Sequence, residues 1–281
     1  MKTAIITDST AYIDHSVLNK LNIHMVPLSV IFGQETYREE VDITAEQFYE
    51  QVRQAETLPT TSQPPIGQFV ELFEQLKSEG YDAAVVVTLS SGISGTYQGA
   101  ITAGSMVDDI DVRVYDSEIS CMIQGFYVIE GAQMANEGKG PDNILARLDE
   151  MKQSIRAYFM VDDLSHLQRG GRLSATQAFV GSLLQVKPLL HFVDTKIVPF
   201  EKIRTRKKAI KRIVELLDQD AAHNEPMKAV VIHANRHEEA AELKAELEKE
   251  YPQIEWGISH FGPVIGTHLG EGSMGIGWYK L

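Results

Sequence analysis

At 281 residues the chain is long enough for two domains of ordinary size, and a hydrophobic content of 43% provides for a sizeable buried core. Its net charge of −13 argues against a nucleic-acid partner, which needs a basic face. No apolar run approaches the roughly 20 residues of a membrane span. The single cysteine, Cys121, excludes an internal disulfide framework and fits a reducing cytoplasm.

Met1-Lys2-Thr3 is expected to enter a strand at once, without the apolar stretch and cleavage site of a secretory leader. Thr3 to Thr7 is a predicted strand ending in Asp8-Ser9-Thr10. Asp14 is placed to cap a short helix running to Leu21. His24 to Phe32 reads as a second strand, with a turn at Gly33-Gln34 into Thr36 to Arg38. Thr44 followed by Gln47 is a capping box that opens a helix to about Arg53. Leu58 to Pro65 (LPTTSQPP) is expected to be a stiff irregular loop, because each proline restricts itself and the residue before it. An amphipathic helix follows over Ile66 to Lys77.

Ala83 to Leu89 is short, apolar and β-branched, the pattern of a buried parallel strand. Ser90 to Gly95 then packs two glycines among three serines before a helix over Thr96 to Met106. A strand, a Gly/Ser turn and a helix start form a ready anion site, since backbone N–H groups and the positive helix end point out of the turn. Val112 to Tyr115 is a further strand ending at Asp116-Ser117, and helices are predicted from about Glu118 to Asn136 and from Pro141 to Ser154. Cys121 lies in the apolar stretch SCMIQGFYVI, where a buried inert thiol is expected. Repeated β-then-α units imply a parallel sheet with helices on both faces, whose ligands sit beyond the carboxyl ends of the strands. The Asp/Ser/Thr clusters at three of those ends are either helix caps or ligand groups.

The second half mixes hairpins with helices. Ala157 to Val161 is a predicted strand, Gln168 to Arg172 a glycine turn flanked by arginines, and Ser174 to Leu184 an apolar helix. Pro188 to Val193 and Lys196 to Ile203 pair as a hairpin across Asp194-Thr195. A basic helix (Arg206 to Leu217), a strand (Lys228 to His233), an acidic helix (Glu238 to Glu248) and a strand (Glu255 to Ser259) follow. The tail carries Gly262, Gly266, Gly270, Gly272, Gly275 and Gly277 around Thr267-His268, which allows close backbone approach to a ligand. The expected fold class is therefore α/β: an N-terminal Rossmann-like parallel-sheet domain over residues 1–155 and a C-terminal α+β domain with a mixed sheet over residues 156–281, with the ligand site between them.

Several motifs recur in one order along the whole chain: TDST at Thr7 to Thr10, TTSQP at Thr60 to Pro64, LSSGISGTYQ at Leu89 to Gln98, LQRGGRLS at Leu167 to Ser174, KPLL at Lys187 to Leu190 and GPVIGTHLGEG at Gly262 to Gly272. In this the chain resembles the DegV family, the fatty-acid-binding (FakB-type) proteins of bacteria. The resemblance implies a DegV-like fold of two α/β domains with a long-chain fatty acid held between them, its carboxylate gripped by hydroxyls and a histidine and its acyl tail buried. It implies that the bound acid is presented to a separate fatty acid kinase, which phosphorylates the carboxylate for phospholipid synthesis, so that the binding protein is itself no enzyme and needs no cofactor. Carried over motif by motif, the carboxylate ligands are Thr61, Ser62, Ser94, Thr267 and His268, and Arg172 and Arg204 are rim residues for phosphate or the kinase. A buried carboxylate must be multiply hydrogen-bonded, and the planar fork of arginine suits phosphate. Glu271, beside this proposed anion site, fits only if it points outward.

Other chemistries leave weaker marks. Gly92-Ile93-Ser94-Gly95-Thr96 nearly reads as the nucleophile elbow of a serine-dependent lipid or ester hydrolase, but Thr96 replaces its last glycine and no acid–histidine pair follows in order. The P-loop lysine and a post-strand G-x-G-x-x-G are both missing, which disfavours a nucleotide enzyme. His233 and His237 straddle a strand end, and His191, His223 and His260 are isolated, so no metal is expected. The basic run Lys202 to Arg212 is either a solvated face or a docking surface for the kinase. Ala178 to Leu184, with Leu189, Leu190 and Phe192, either lines an acyl tunnel or fills the core of the second domain.

Overall fold

The computed structural model describes residues 2–174, 187–222 and 225–281. The apolar helix expected over Ser174 to Leu184, with the tunnel role of Ala178 to Leu184, lies past Ser174 outside the described residues, as does His223.

Four strands, β1 (Thr3–Asp8), β2 (Ile23–Val26), β6 (Ala83–Thr88) and β7 (Asp111–Asp116), form a sheet in the order β2-β1-β6-β7. All of its pairs are parallel. Because successive side chains point to opposite faces, β1 and β6 each serve two cores at once. Ala4, Ile6, Ala84 and Val86 pack with Phe69 and Phe73 of helix α3 (Ile66–Ser78) and with Ala100 of α4 (Thr96–Gly104). Ile5, Val85 and Val87 meet Tyr127 and Val128 of α5 (Cys121–Asn136) and Ile144 and Leu148 of α6 (Pro141–Ser154). Burial on both faces explains why β6 reads as a continuous apolar run.

The second sheet runs β10-β9-β8-β13-β11-β12, built from β8 (Arg156–Met160), β9 (Lys187–Val193), β10 (Lys196–Ile203), β11 (Met227–His233), β12 (Ile254–His260) and β13 (Met274–Lys280). Only β11 and β12 pair in parallel, so the sheet is mixed as expected. One face packs on α8 (Arg206–Ala221) and α9 (His237–Glu250) through Met160, Leu189, Val231 and Trp278. The other face, with Phe159, Leu190, Ile232 and Tyr279, joins the same apolar cluster as Ile5 and Val87 of the first sheet. The ligand region lies in that shared layer. Asp194 and Thr195 both adopt left-handed backbone conformations, as the two-residue β9–β10 hairpin requires.

Two expectations need correction, and one stretch gains elements that were not expected. His24 to Phe32 is two strands, not one: β2 belongs to the parallel sheet, whereas β3 (Ser29–Phe32) pairs antiparallel with β4 (Glu35–Arg38) in a separate three-stranded sheet. Pro27 lies at the break, where it has no N–H to give a ladder. The loop expected at Leu58 to Pro65 contains a short strand, β5 (Thr60–Ser62), which pairs with β3 because its prolines fall outside the paired residues. The glycine-rich tail, to which no element was assigned, holds helix α10 (Pro263–Leu269) and β13, an interior strand of the mixed sheet. Among the described residues no helix is long and apolar enough to cross a membrane.

Candidate functional site

Between the carboxyl ends of the first sheet and the inner face of the second lies a cavity of about 320 Å³. Leu89, Ile93, Ile119 and Ile123 wall it from the N-terminal half; Phe159, Phe192, Ile197, Ile232 and Ile276 wall it from the C-terminal half. Val264, Ile265 and Leu269 of α10 close a third side. One region of the lining is polar and gathers Thr61, Ser62, Gln63, Ser94, Arg172 and His268 from distant parts of the chain.

Two carboxylates, buried Asp8 and partly exposed Asp116, brace this polar end. Asp8 accepts from the Leu89 amide at 2.7 Å and from the Thr10 amide and hydroxyl at 3.0 and 2.6 Å, and burial still pushes its pKa above the usual range. Asp116 accepts from the amides of Ser91 at 3.1 Å and Glu118 at 2.9 Å. These two strand-end clusters therefore act as caps that hold the Gly/Ser turn. The hairpin tip is seated on that turn, where the Ser90 hydroxyl donates to the Thr195 carbonyl at 2.5 Å. A Cβ on Gly92 would collide with Thr195, so glycine is what lets the hairpin dock.

The turn does not present the open row of N–H groups that its composition implied. Ile93 and Ser94 donate to the Ser90 carbonyl at 3.1 and 3.2 Å, and the Thr96 amide donates to the Ser94 hydroxyl at 3.3 Å. With the Ser91 amide held by Asp116, what the turn presents to the cavity is the Ser94 hydroxyl and the backbone of Gly95.

Helix α10 is fixed at its start by Glu39, a fully buried carboxylate that accepts from the Val264 amide at 2.7 Å, the Tyr12 hydroxyl at 2.8 Å and the Ser9 hydroxyl at 2.6 Å. Burial pushes its pKa up to about 8 despite these donors. The helix carries His268 to within 2.9 Å of the Thr61 hydroxyl, measured from Nε2. Burial, and then the charges of Arg172 and His166, push His268 down to about 4, so its ring is neutral at neutral pH. Fixed positive charge comes instead from Arg172, whose guanidinium donates to the carbonyls of Ile93 at 3.1 Å and Gly170 at 2.6 Å. A carboxylate entering here meets the hydroxyls of one short strand and of the Gly/Ser turn, a neutral imidazole and one clamped guanidinium.

The structure thus brings Thr61, Ser62, Ser94, Arg172 and His268 to one cavity and leaves two candidates elsewhere. The Thr267 hydroxyl donates back to the Pro263 carbonyl at 2.8 Å, and the residue lines an outer chamber of about 300 Å³ with Arg169 and His166. Thr61, Arg172 and His268 belong to both chambers. Arg204 is exposed and lines neither. Glu271 turns away toward Arg53 at 2.6 Å and Asn235 at 2.9 Å, and Arg53 holds its carboxyl below the usual range. Phe192 lines the cavity, whereas Leu189 and Leu190 are fully buried in the two cores. Gln63 and Ser120 were not foreseen; the one signal available was that Gln63 belongs to the same TTSQP stretch as Thr61.

As for other chemistries, Ser94 pairs with the Thr96 hydroxyl at 2.9 Å, and no hydrogen bond joins it to a histidine among the described residues. Cys121 also lines the cavity, but burial pushes its thiol up to about 12, which leaves it inert. Among the described residues no group of three or more His, Cys, Asp and Glu is placed to hold a metal ion.

A family model described as "Uncharacterised protein, DegV family" matches residues 2–281. The chain belongs to the DegV family. It is 59% identical to the protein DegV of Bacillus subtilis over 279 residues, which is 99% of each chain. Among solved structures it resembles Bacillus subtilis DegV, described as a fatty acid binding protein, with TM-score 0.95, 58% identity and full coverage of both chains. A fatty acid binding DegV family protein of Streptococcus agalactiae superposes with TM-score 0.91 at 33% identity, covering 100% of this chain and 99% of that one. A stearic-acid-binding protein of Eubacterium ventriosum gives TM-score 0.89 at 27% identity, with coverage of 99% and 98%. These likenesses place the DegV fold on the whole chain.

Proposed function

We propose that this chain is a fatty-acid carrier rather than an enzyme. Residues 1–155 and 156–281 act as its two domains, and the long-chain fatty acid lies between them. The observation that carries this reading is an apolar cavity of about 320 Å³ with a single cage of Thr61, Ser62, Ser94, Arg172 and His268 in its wall. Each buried CH₂ of an acyl chain is worth about 0.8 kcal/mol, so the tail supplies affinity and the head group needs only to be satisfied. A carboxylate against Arg172 and several hydroxyls is satisfied without being attacked. The fatty acid binding proteins that superpose on the chain support the same ligand class.

In this reading the carboxylate end faces the outer chamber through Thr61, Arg172 and His268, where a partner reaches it. The partner class that the family resemblance implies is a cytoplasmic fatty acid kinase, which transfers a phosphoryl group from ATP to the carboxylate and so feeds phospholipid synthesis. Thr267 on the outer chamber and the exposed Arg204 and Lys207 are assigned to that encounter rather than to the resting carboxylate.

Solvent extraction of the purified recombinant protein, followed by mass spectrometry, tests the ligand. The expected result is one long-chain fatty acid per chain. Ligand-free protein that hydrolyses esters, and loses that activity on Ser94→Ala, would establish the hydrolase in its place.

A further inference from the structure

The outer chamber beside the cage is shaped by one turn. Helix α7 (Ser165–Arg169) ends with the Gly171 amide donating to the Gln168 carbonyl and the Arg172 amide to the Leu167 carbonyl, both at 3.1 Å, and Gly171 is left-handed at φ 66°. This reversal brings Arg169 and Arg172 to the same chamber of about 300 Å³. Gly170 lies between them, and a Cβ there would collide with His268 Nδ1, so glycine seats the imidazole against the turn. Thr61, Arg172 and His268 form the wall that separates this chamber from the cavity.

The charge of the chamber has one sign. The chain carries a net charge of −13, yet among the described residues no carboxylate lines this space. Asp163, whose charge acts on His166, accepts instead from the Ser165 amide at 2.8 Å and hydroxyl at 2.7 Å and lines neither chamber. Burial lowers both imidazoles, His166 and His268, so the positive charge rests on the two guanidiniums, which stay ionised. Arg172 is already clamped to two carbonyls, whereas Arg169 makes no hydrogen bond or ion pair among the described residues. A planar guanidinium with its donors free is suited to two oxygens of a phosphate, and Thr60 adds a hydroxyl to the same chamber.

We propose that the outer chamber binds a phosphate dianion, free or as the head of a small monoester, between Arg169 and Arg172, and that its occupancy weakens the hold of the cavity on a carboxylate. The two anions draw on one Arg172 guanidinium from opposite sides of the wall, and they repel each other. Coupling of this kind is reciprocal, so a bound fatty acid weakens phosphate by the same factor. The binding needs no kinase. The coupling rests on the fatty-acid reading above; the phosphate site does not.

Titration calorimetry of the delipidated full chain with inorganic phosphate, and separately with glycerol phosphate, tests the site against chloride at matched ionic strength. One saturable equivalent per chain is expected, and the tighter of the two probes identifies the source of the phosphate. Arg169→Gln is expected to weaken that binding about tenfold, the scale of one charge-assisted hydrogen bond, and to leave phosphate-free affinity for hexadecanoic acid unchanged. Saturating phosphate is expected to weaken hexadecanoic acid about fivefold in the wild type and to have no such effect in Arg169→Gln at the same concentration. Heats no larger than the chloride control, phosphate affinity unaltered in Arg169→Gln, or fatty-acid affinity indifferent to phosphate would each overturn the proposal. Failure of the phosphate-free wild type to bind hexadecanoic acid overturns the fatty-acid reading instead, and the Arg169→Gln comparison still decides the phosphate site.

Discussion

The neutral imidazole at the cage makes the sharpest prediction. Burial, and then the Arg172 and His166 charges, lower the His268 pKa from the ordinary 6.5 to about 4. A histidine depressed in the folded state contributes its full stability above its unfolded value and loses it as pH falls toward the folded one. The unfolded chain takes up the proton first, so ligand-free protein loses about 2 kcal/mol between about pH 7 and about pH 5, and the loss levels off near 3 kcal/mol below about pH 4. His268→Gln keeps a polar partner for the Thr61 hydroxyl but cannot titrate. Urea unfolding of both delipidated proteins across this range should give a stability difference that moves in favour of the variant by about 2 kcal/mol at about pH 5. Burial also depresses His233 to about 4, but it is present in both proteins and cancels in the difference. A difference that stays flat from about pH 7 to about pH 5 would show that His268 is not held neutral, and the account of the cage would fail.

Three further outcomes follow from particular contacts. Thr61→Val removes the partner of His268 Nε2 without changing shape; it should cost about 1–3 kcal/mol in denaturant unfolding and weaken fatty-acid affinity about tenfold, whereas unaltered affinity would remove Thr61 from the cage. Gly277→Ala places a methyl against Ile123 in the layer between the two sheets and should lower stability by about 1–3 kcal/mol, read as a lower unfolding midpoint. Arg204→Glu, exposed and outside both chambers, should slow phosphorylation of the bound acid by the proposed kinase about tenfold at low salt and leave fatty-acid affinity unchanged; lost lipid binding would refute the proposed docking role.

What the sequence disclosed depended on how local the physical cause was. The strand at Ala83–Thr88 was legible because burial on both faces leaves an apolar run. The hairpin at Asp194-Thr195 was legible because a two-residue turn needs left-handed residues, and the helix at Ala45–Gln54 because Thr44 and Gln47 form its capping box. The strand at Thr60–Ser62 was hidden, since its flanking prolines signal irregularity and its only reason to be extended is an edge supplied by residues 29–31. The break near Pro27 was hidden too, because both halves are apolar and only tertiary pairing assigns them to different sheets.

The glycine-rich tail shows why the cage itself was half visible. Its composition suggested close approach, and the structure shows what approaches: Phe159 lies over Gly275, Ile123 over Gly277, and Tyr49 with Phe48 over Gly266. These glycines let α10 and β13 pack into the interior, and that packing, with the Glu39 cap, aims His268 at Thr61 across a separation of 207 residues. No periodicity or spacing spans such a distance, so residue type marked both partners as candidates while only the fold joined them. Thr267 shows the converse. Adjacent to His268 on the same helical turn, it projects toward a different wall, and its hydroxyl is spent on the carbonyl four residues earlier, as threonines inside helices commonly do. Neighbourhood in sequence selected the right turn of helix, but the 3.6-residue period decided which side chain reaches the cavity.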